Sequence, residues 1–110
     1  MAAWTAQLRK GVLEMGVLAS LARGEAYGYE ILRRLADRDG QLAITESTLY
    51  PLLARLAKER LIEGRAASSP AGPPRRYYRL TDRGRARLSE MAKEWQALAH
   101  AINDLLEESP

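Results

Sequence analysis

The sequence predicts a mainly α-helical domain with one small β-hairpin, drawn out at its C-terminal end into a single long helix. Three observations carry this. Three stretches before residue 60 repeat apolar residues at helical spacing. Residues 61–81 hold two short runs with apolar or aromatic members (Leu61 and Ile62, then Tyr77, Tyr78 and Leu80) around a segment of Ser, Pro and Gly. From Leu88 to Leu105 the apolar positions step by 3, 4, 3, 4 and 3 residues, the rhythm of a heptad seam.

The first helix spans residues 5–23, with Gly24 as its stop. Trp4, Leu8, Val12 and Met15 form one apolar stripe, and Leu13, Val17 and Leu21 form another. A helix apolar on two sides is packed between two bodies, here its own core and a partner. Residues 26–38 form the second helix, ended by Gly40, with Tyr27, Ile31 and Leu35 inward and Tyr29 and Arg33 outward. Gln41–Ile44 reads as a short strand.

The third helix starts at Thr45–Ser47, any of which can cap it, and runs to about Glu59. Pro51 is cheap only near the first turn, which favours a start near Ser47. Leu49, Leu52, Leu53 and Leu56 share one face, while Ser47, Tyr50, Pro51, Ala54 and Lys58 occupy the other, flanked by Thr48 and Arg55. Leu61–Ala66 and Arg76–Thr81 are the strands, with SSPAGPPR between them as an irregular, arginine-bearing tip. Thr81 then caps a helix from Asp82 to about Glu107, which at 1.5 Å per residue reaches ~39 Å. Its C-terminal half has no part of its own chain left to pack on. We therefore expect two units: a winged helix-turn-helix over residues 1–81 and a dimerisation helix over residues 82–110. The expected dimer contacts are Leu8 and Val12 with Leu88, Met91, Trp95, Leu98, Ile102 and Leu105.

Composition narrows the function. The 110 residues contain no Cys and one His, His100. That leaves no disulfide, no thiolate or zinc cluster, and no nucleophile–base–orienter set. The expectation is no enzyme, no metal and no cofactor. No run approaches a membrane span and the N-terminus lacks a signal-peptide pattern, so the expected location is cytoplasmic. The net charge of +3 is unevenly spread. Residues 1–88 carry a net +7, whereas residues 89–110, with one Lys and five Asp/Glu, carry −4. Fourteen of the 17 cations are Arg, which suits bidentate contact with phosphate and guanine. A basic body on an acidic tail suggests a polyanion site on the first unit.

An amphipathic helix followed by a basic hairpin is how a winged helix meets double-stranded DNA. The outer face of the third helix (Ser47, Thr48, Tyr50, Pro51, Arg55 and Lys58) would enter the major groove. Arg75 and Arg76 on the wing would reach the backbone or the minor groove. Of the wing tyrosines, alternation turns Tyr77 and Tyr78 to opposite faces. Tyr29, Arg9 and Lys10 are candidate phosphate clamps, whereas Tyr27 is expected in the core. Trp95 fits a packed heptad position, but Trp95 and Trp4 are also candidates for stacking a flat aromatic ligand near the dimer axis. His100 and the Glu107–Glu108 pair read as solvated surface.

In this order the elements resemble the PadR family of transcriptional regulators, over nearly the whole chain. LRKGVLEMGVLASLA (Leu8–Ala22) is similar to the family's first helix and YGYEIL (Tyr27–Leu32) to its second. TLYPLLARL (Thr48–Leu56) followed by LIEG resembles its third, and GPPRRYYRLTDRGRARL (Gly72–Leu88) its wing and exit. The single C-terminal helix resembles the family's short branch. Arg60 stands where many relatives have Gly, so a looser turn is expected there. The resemblance implies a homodimeric winged-helix regulator on an inverted-repeat operator, a repressor released by a small, often aromatic, effector or by a stress signal. The competing reading is a winged-helix protein–protein interaction module without DNA binding. Its mark would be an apolar or acidic outer face on the third helix and a neutral wing, which Lys58, Arg75 and Arg76 oppose.

Overall fold

The computed structural model describes residues 3–108, leaving out the side chains of Ala3, Thr5 and Ala6. The ends of both expected units, residues 1–2 and 109–110, lie outside the described residues. The order is α1 (Ala3–Leu21), β1 (Ala26–Tyr27), α2 (Gly28–Ala36), α3 (Glu46–Lys58), β2 (Ile62–Ser69), β3 (Gly72–Leu80) and α4 (Asp82–Glu108). The three strands form an antiparallel sheet in the order β1-β3-β2.

One core joins them. Val17, Leu18 and Leu21 of α1 meet Ile31 and Leu35 of α2, Leu49, Leu53 and Leu56 of α3, and Leu61, Ile62, Tyr78 and Leu80 of the sheet. Burying each Leu or Ile is worth about 1.5–3 kcal/mol against exposure. The spacing that places these residues on one side of each helix is what selects the fold.

Several expected boundaries move, each for a local reason. Ala26–Tyr27 is a strand rather than the start of α2, because it pairs with Tyr78 and Tyr77 along the open edge of β3. In so short a strand Ala26 is buried and Tyr27 faces the other way, so Tyr27 is half-buried on the outer face and not in the core. Residues 41–44 form no strand. Asp37–Leu42 turns instead, through the left-handed conformations of Asp39 and Gly40 (φ 57° and 71°). The tip is far shorter than expected. The strands pair as far as Ser69 and Gly72, leaving Pro70 and Ala71 to turn. The pairing shifts between Ala67 and Ser69, and the extra residue of β3 lies in the Pro73–Pro74 segment. A bulge accommodates prolines, which have no N–H for a ladder bond.

Two helix ends set the site. Pro51 lies in the second turn of α3, not the first, since the helix opens at Glu46. Its ring removes the N–H that would bond the Ser47 carbonyl, and this falls on the outer face, where solvent can serve that carbonyl. At the other end Arg60 has φ 63°. Its N–H donates to the Ala57 carbonyl and that of Leu61 to the Leu56 carbonyl, each at 3.0 Å. That is a Schellman motif. The turn is therefore as tight as one made by Gly, contrary to the looser turn expected.

The start of α4 is locked to this turn. The Thr81 hydroxyl accepts from the Gly84 N–H at 2.9 Å and donates to the Arg60 carbonyl at 2.7 Å, and the Thr81 N–H donates to Leu61 O at 3.1 Å. Leu88 and Met91 pack partly against the chain's own core. From Lys93 onward every residue of α4 is exposed except the half-buried Ala99. The helix makes the molecule elongated, 58 × 32 × 21 Å.

Candidate nucleic-acid interface

The outer face of α3 is built by what the inner face takes. With Leu49, Leu53 and Leu56 fully buried, the helical repeat leaves Ser47, Thr48, Tyr50, Pro51 and Lys58 exposed. Thr45 holds the N-cap position but makes no side-chain bond to the helix backbone. Its hydroxyl lies 2.9 Å from that of Ser47 and 3.3 Å from that of Thr48. The result is a cluster of three hydroxyls at the positive end of the helix dipole, where anions are favoured.

Tyr50 crosses from α3 to the start of α2. A Cβ at Gly28 would lie 2.3 Å from its hydroxyl oxygen, so only glycine lets the phenol rest there. Partial burial pushes the Tyr50 pKa up, and the negative charge of Glu46 and the neighbouring Tyr78 add to this. Tyr50, Gly28 and Tyr27 line a concavity of about 350 Å³ whose far wall is the wing, from Ser69 to Arg76. The structure thus brings Tyr50, Arg75 and Arg76 to one site.

Alternation along β3 separates the two wing arginines. Arg76 lies on the side of buried Tyr78, its Nε 2.9 Å from where a Cβ at Gly64 would be. Arg75 lies on the other side, its guanidinium 4.5 Å from the centroid of Tyr27. Tyr27 in turn meets Tyr77 edge-on at 5.4 Å and stacks on Tyr29 at 6.4 Å. Arg65 covers Tyr77 at 5.1 Å and Arg33 covers Tyr29 at 5.9 Å. Cation–π contact holds the Arg75 and Arg33 guanidinium groups by their faces and leaves their N–H edges available to a phosphate. Two neighbouring arginines are neutralised instead: Arg79 pairs with Glu63 at 2.6 Å, and Arg65 with Glu25, whose carboxyl it holds below the usual range.

The remaining expected contacts are dispersed. Tyr29 is exposed and belongs to the aromatic row. Lys10 and Lys58 are exposed on α1 and α3 but line none of this concavity. Arg9 donates to the Ala43 carbonyl at 3.2 Å and so holds the turn that leads into α3. Arg55 points to Glu14 and Glu59, at 2.8 Å each. Three participants escape a reading by sequence: Gly28, Tyr27 as the seat of Arg75, and Glu14. A signal existed for the last, since a lone carboxylate inside a helix apolar on two sides needs a cationic partner.

On the far side, α1 and α4 enclose an apolar groove of about 380 Å³. Leu8, Val12 and Met15 form one wall, and Met91, Trp95 and Leu98 the other. Trp95 is 44% exposed, and Leu98, Ile102 and Leu105 continue the seam with 49–62% of their surface open. Trp4 is 65% exposed and does not line the groove. No helix among the described residues is long and apolar enough to cross a membrane. None of their His, Asp or Glu side chains group in threes able to hold a metal ion.

Several transcriptional regulators of known structure share this arrangement. Residues 17–90 match the family model of the transcriptional regulator PadR-like family. A PadR-like transcriptional regulator from Bacillus cereus superposes with a TM-score of 0.82 at 40% identity, over 94% of this chain and 99% of that one. A PadR family regulator from Eggerthella lenta gives 0.86 at 37% identity, over 97% and 92%. The negative transcriptional regulator PadR of Bacillus subtilis is 29% identical over 94 residues, 84% of this chain but 52% of that longer protein. The winged-helix fold, the basic site between α3 and the wing, and these similarities place the chain in the PadR family of DNA-binding transcriptional regulators.

Proposed function

We propose that this regulator is a cytoplasmic homodimeric repressor that binds an inverted-repeat operator through α3 and the wing, and that an effector or stress signal releases it. The single observation carrying the reading is the concavity in which Tyr50 of α3 faces Arg75 and Arg76 of the wing. The N-terminal turns of α3, with Ser47, Thr48, Tyr50 and Pro51, enter the major groove, and Arg75 and Arg76 contact flanking phosphates. Tyr29, Lys10 and Lys58 add backbone contacts. In this division residues 1–81 bind DNA and residues 82–110 dimerise. Repression is supported by the Bacillus subtilis relative, which is a negative regulator.

The dimer is supported by the exposed seam of α4. Trp95, Leu98, Ile102 and Leu105 form an apolar line that a second copy can cover, with Leu8 and Val12 alongside. Two recognition helices then lie about one turn of DNA apart, ~34–36 Å. The groove between α1 and α4 is the place for a flat aromatic effector, with Trp95 as its stacking surface and Trp4 nearby in sequence. An occupant there shifts the population between two dimer shapes.

A gel shift on the DNA upstream of the chain's own coding region tests the reading. Binding should weaken steeply with salt, and Arg75→Ala with Arg76→Ala should lower the slope of log affinity against log salt by about two. No salt-sensitive shift, with wild type and the double variant alike, would favour a protein–protein module. Analytical ultracentrifugation of Trp95→Asp should show a monomer where the wild type is a dimer.

A further inference from the structure

We propose that Glu14 is a positioning residue for the recognition helix: through Arg55 and Arg87 it ties α3 to the walls of the α1/α4 groove, and Arg55 is part of that tie rather than a DNA contact. This rests on the DNA-binding reading above.

Three helices and the C-cap of α3 supply four side chains that close a ring of alternating charge. Glu14 of α1 receives Arg55 of α3 on Oε1 at 2.8 Å and Arg87 of α4 on Oε2 at 3.1 Å. Glu59, just past α3, receives Arg55 on Oε2 at 2.8 Å and lies 3.9 Å from Arg87 through Oε1. Both carboxylates use both oxygens, and Arg55 gives one N–H of each terminal nitrogen to a carboxylate, so its charge is already matched by Glu14 and Glu59 before a phosphate approaches its remaining donors. Glu14 is the most covered member, its side chain 19% exposed against 36–49% for the others.

Placement gives the ring its role. Glu14 sits between Leu13, which faces the core, and Met15, which lines the groove. Arg87 lies one turn before Met91, on the opposite groove wall. Arg55 lies two turns past Thr48 on α3. A change in the spacing of α1 and α4 therefore stretches the Arg87–Glu14 link first and reaches α3 through Arg55. The state of the groove and the seat of the recognition helix become one variable.

The two roles of Arg55 predict opposite signs for one substitution. If Arg55 is held for positioning, Glu14→Gln loosens α3 and weakens DNA binding. If Arg55 is a phosphate contact, Glu14→Gln frees it and strengthens binding. The experiment is a fluorescence-anisotropy titration of the full chain on a labelled duplex from its own upstream region, over a range of salt. It is paired with amide hydrogen exchange on the DNA-free protein.

We expect Glu14→Gln, Arg87→Gln and Arg55→Gln each to weaken binding about fivefold with the salt slope unchanged. The Glu14→Gln/Arg55→Gln double variant should be no weaker than either single one. Exchange at residues 53–58 should quicken in Glu14→Gln and in Arg87→Gln. Tighter binding by Glu14→Gln, with a slope lowered by about one in Arg55→Gln, overturns the proposal, as do unchanged affinity and exchange. If Glu14→Gln does not fold, Arg87→Gln at the more exposed end carries the same expectations. Failure of the DNA reading itself shows separately, as wild type without salt-sensitive binding, while hydrogen exchange still reports the tie.

Discussion

Gly84→Ala is the sharpest test of how the two units are joined. A Cβ on Gly84 would stand 2.0 Å from the Leu61 carbonyl oxygen, and 3.0 Å from both the Leu61 carbonyl carbon and Leu80 Cδ2. The nearest obstacle is backbone, held by the Schellman turn and by Leu61 in the core. It cannot swing aside as a long side chain would, so the first turn of α4 must retreat by about 1.4 Å to reach ordinary contact distance. That retreat stretches the Thr81 cap on Gly84 and the Thr81 bonds to Arg60 and Leu61. Overpacking costs about 1–3 kcal/mol and each weakened hydrogen bond about 0.5–1.5 kcal/mol. Alanine's better helix propensity returns about 1 kcal/mol. The clash wins, for a net loss of about 2–3 kcal/mol. At 4–8 °C per kcal/mol that lowers Tm by about 10–20 °C. The assay is urea and thermal unfolding followed by far-ultraviolet circular dichroism, at one fixed protein concentration because association adds to stability. A loss below about 0.5 kcal/mol, or a gain, would refute the reasoning, since α4 would then not be seated against Leu61.

Three further outcomes follow from single contacts. Tyr27→Leu should weaken DNA binding about two- to fivefold by unseating Arg75, while Tyr27→Phe, which keeps the ring face, should bind like wild type in the same anisotropy titration. Arg60→Gly should raise stability by about 0.5–1 kcal/mol in urea unfolding, because relief of the left-handed conformation exceeds the extra entropy of an unfolded glycine. The raised pKa of Tyr50 makes the neutral phenol the form that the fold prefers. Its contribution is complete below the ordinary phenol value near 10 and is lost as pH rises through the higher folded value. Tyr50→Phe should therefore flatten the fall in stability above about pH 10, read from urea midpoints along a pH series.

What the amino-acid sequence determined by itself is whatever repeats along the chain. Leu49, Leu53 and Leu56 fall on one side of a helix because 3.6 residues make a turn, and that alone exposes Ser47, Tyr50 and Pro51. The heptad steps from Leu88 to Leu105 likewise announced an apolar seam, which the structure leaves open to solvent along α4 from Trp95 to Leu105. The motif order from YGYEIL through TLYPLL to RRYYRLT by itself resembles the PadR regulators. Tertiary structure decided whatever depends on a partner far away in sequence. Two residues, Ala26 and Tyr27, have no strand pattern to read, and they become a strand because the edge of β3, 50 residues on, is open to them. Pro73 and Pro74 looked like loop until pairing on either side turned their irregularity into a bulge. The helix face of Arg55 is legible in the sequence, and only the fold reveals Glu14, 41 residues earlier, at its tip. The physical reason is the same in each case. Periodicity is a property of one segment's own geometry, while an ion pair, a strand edge or a close approach such as Tyr50 on Gly28 exists only once two segments have been packed together.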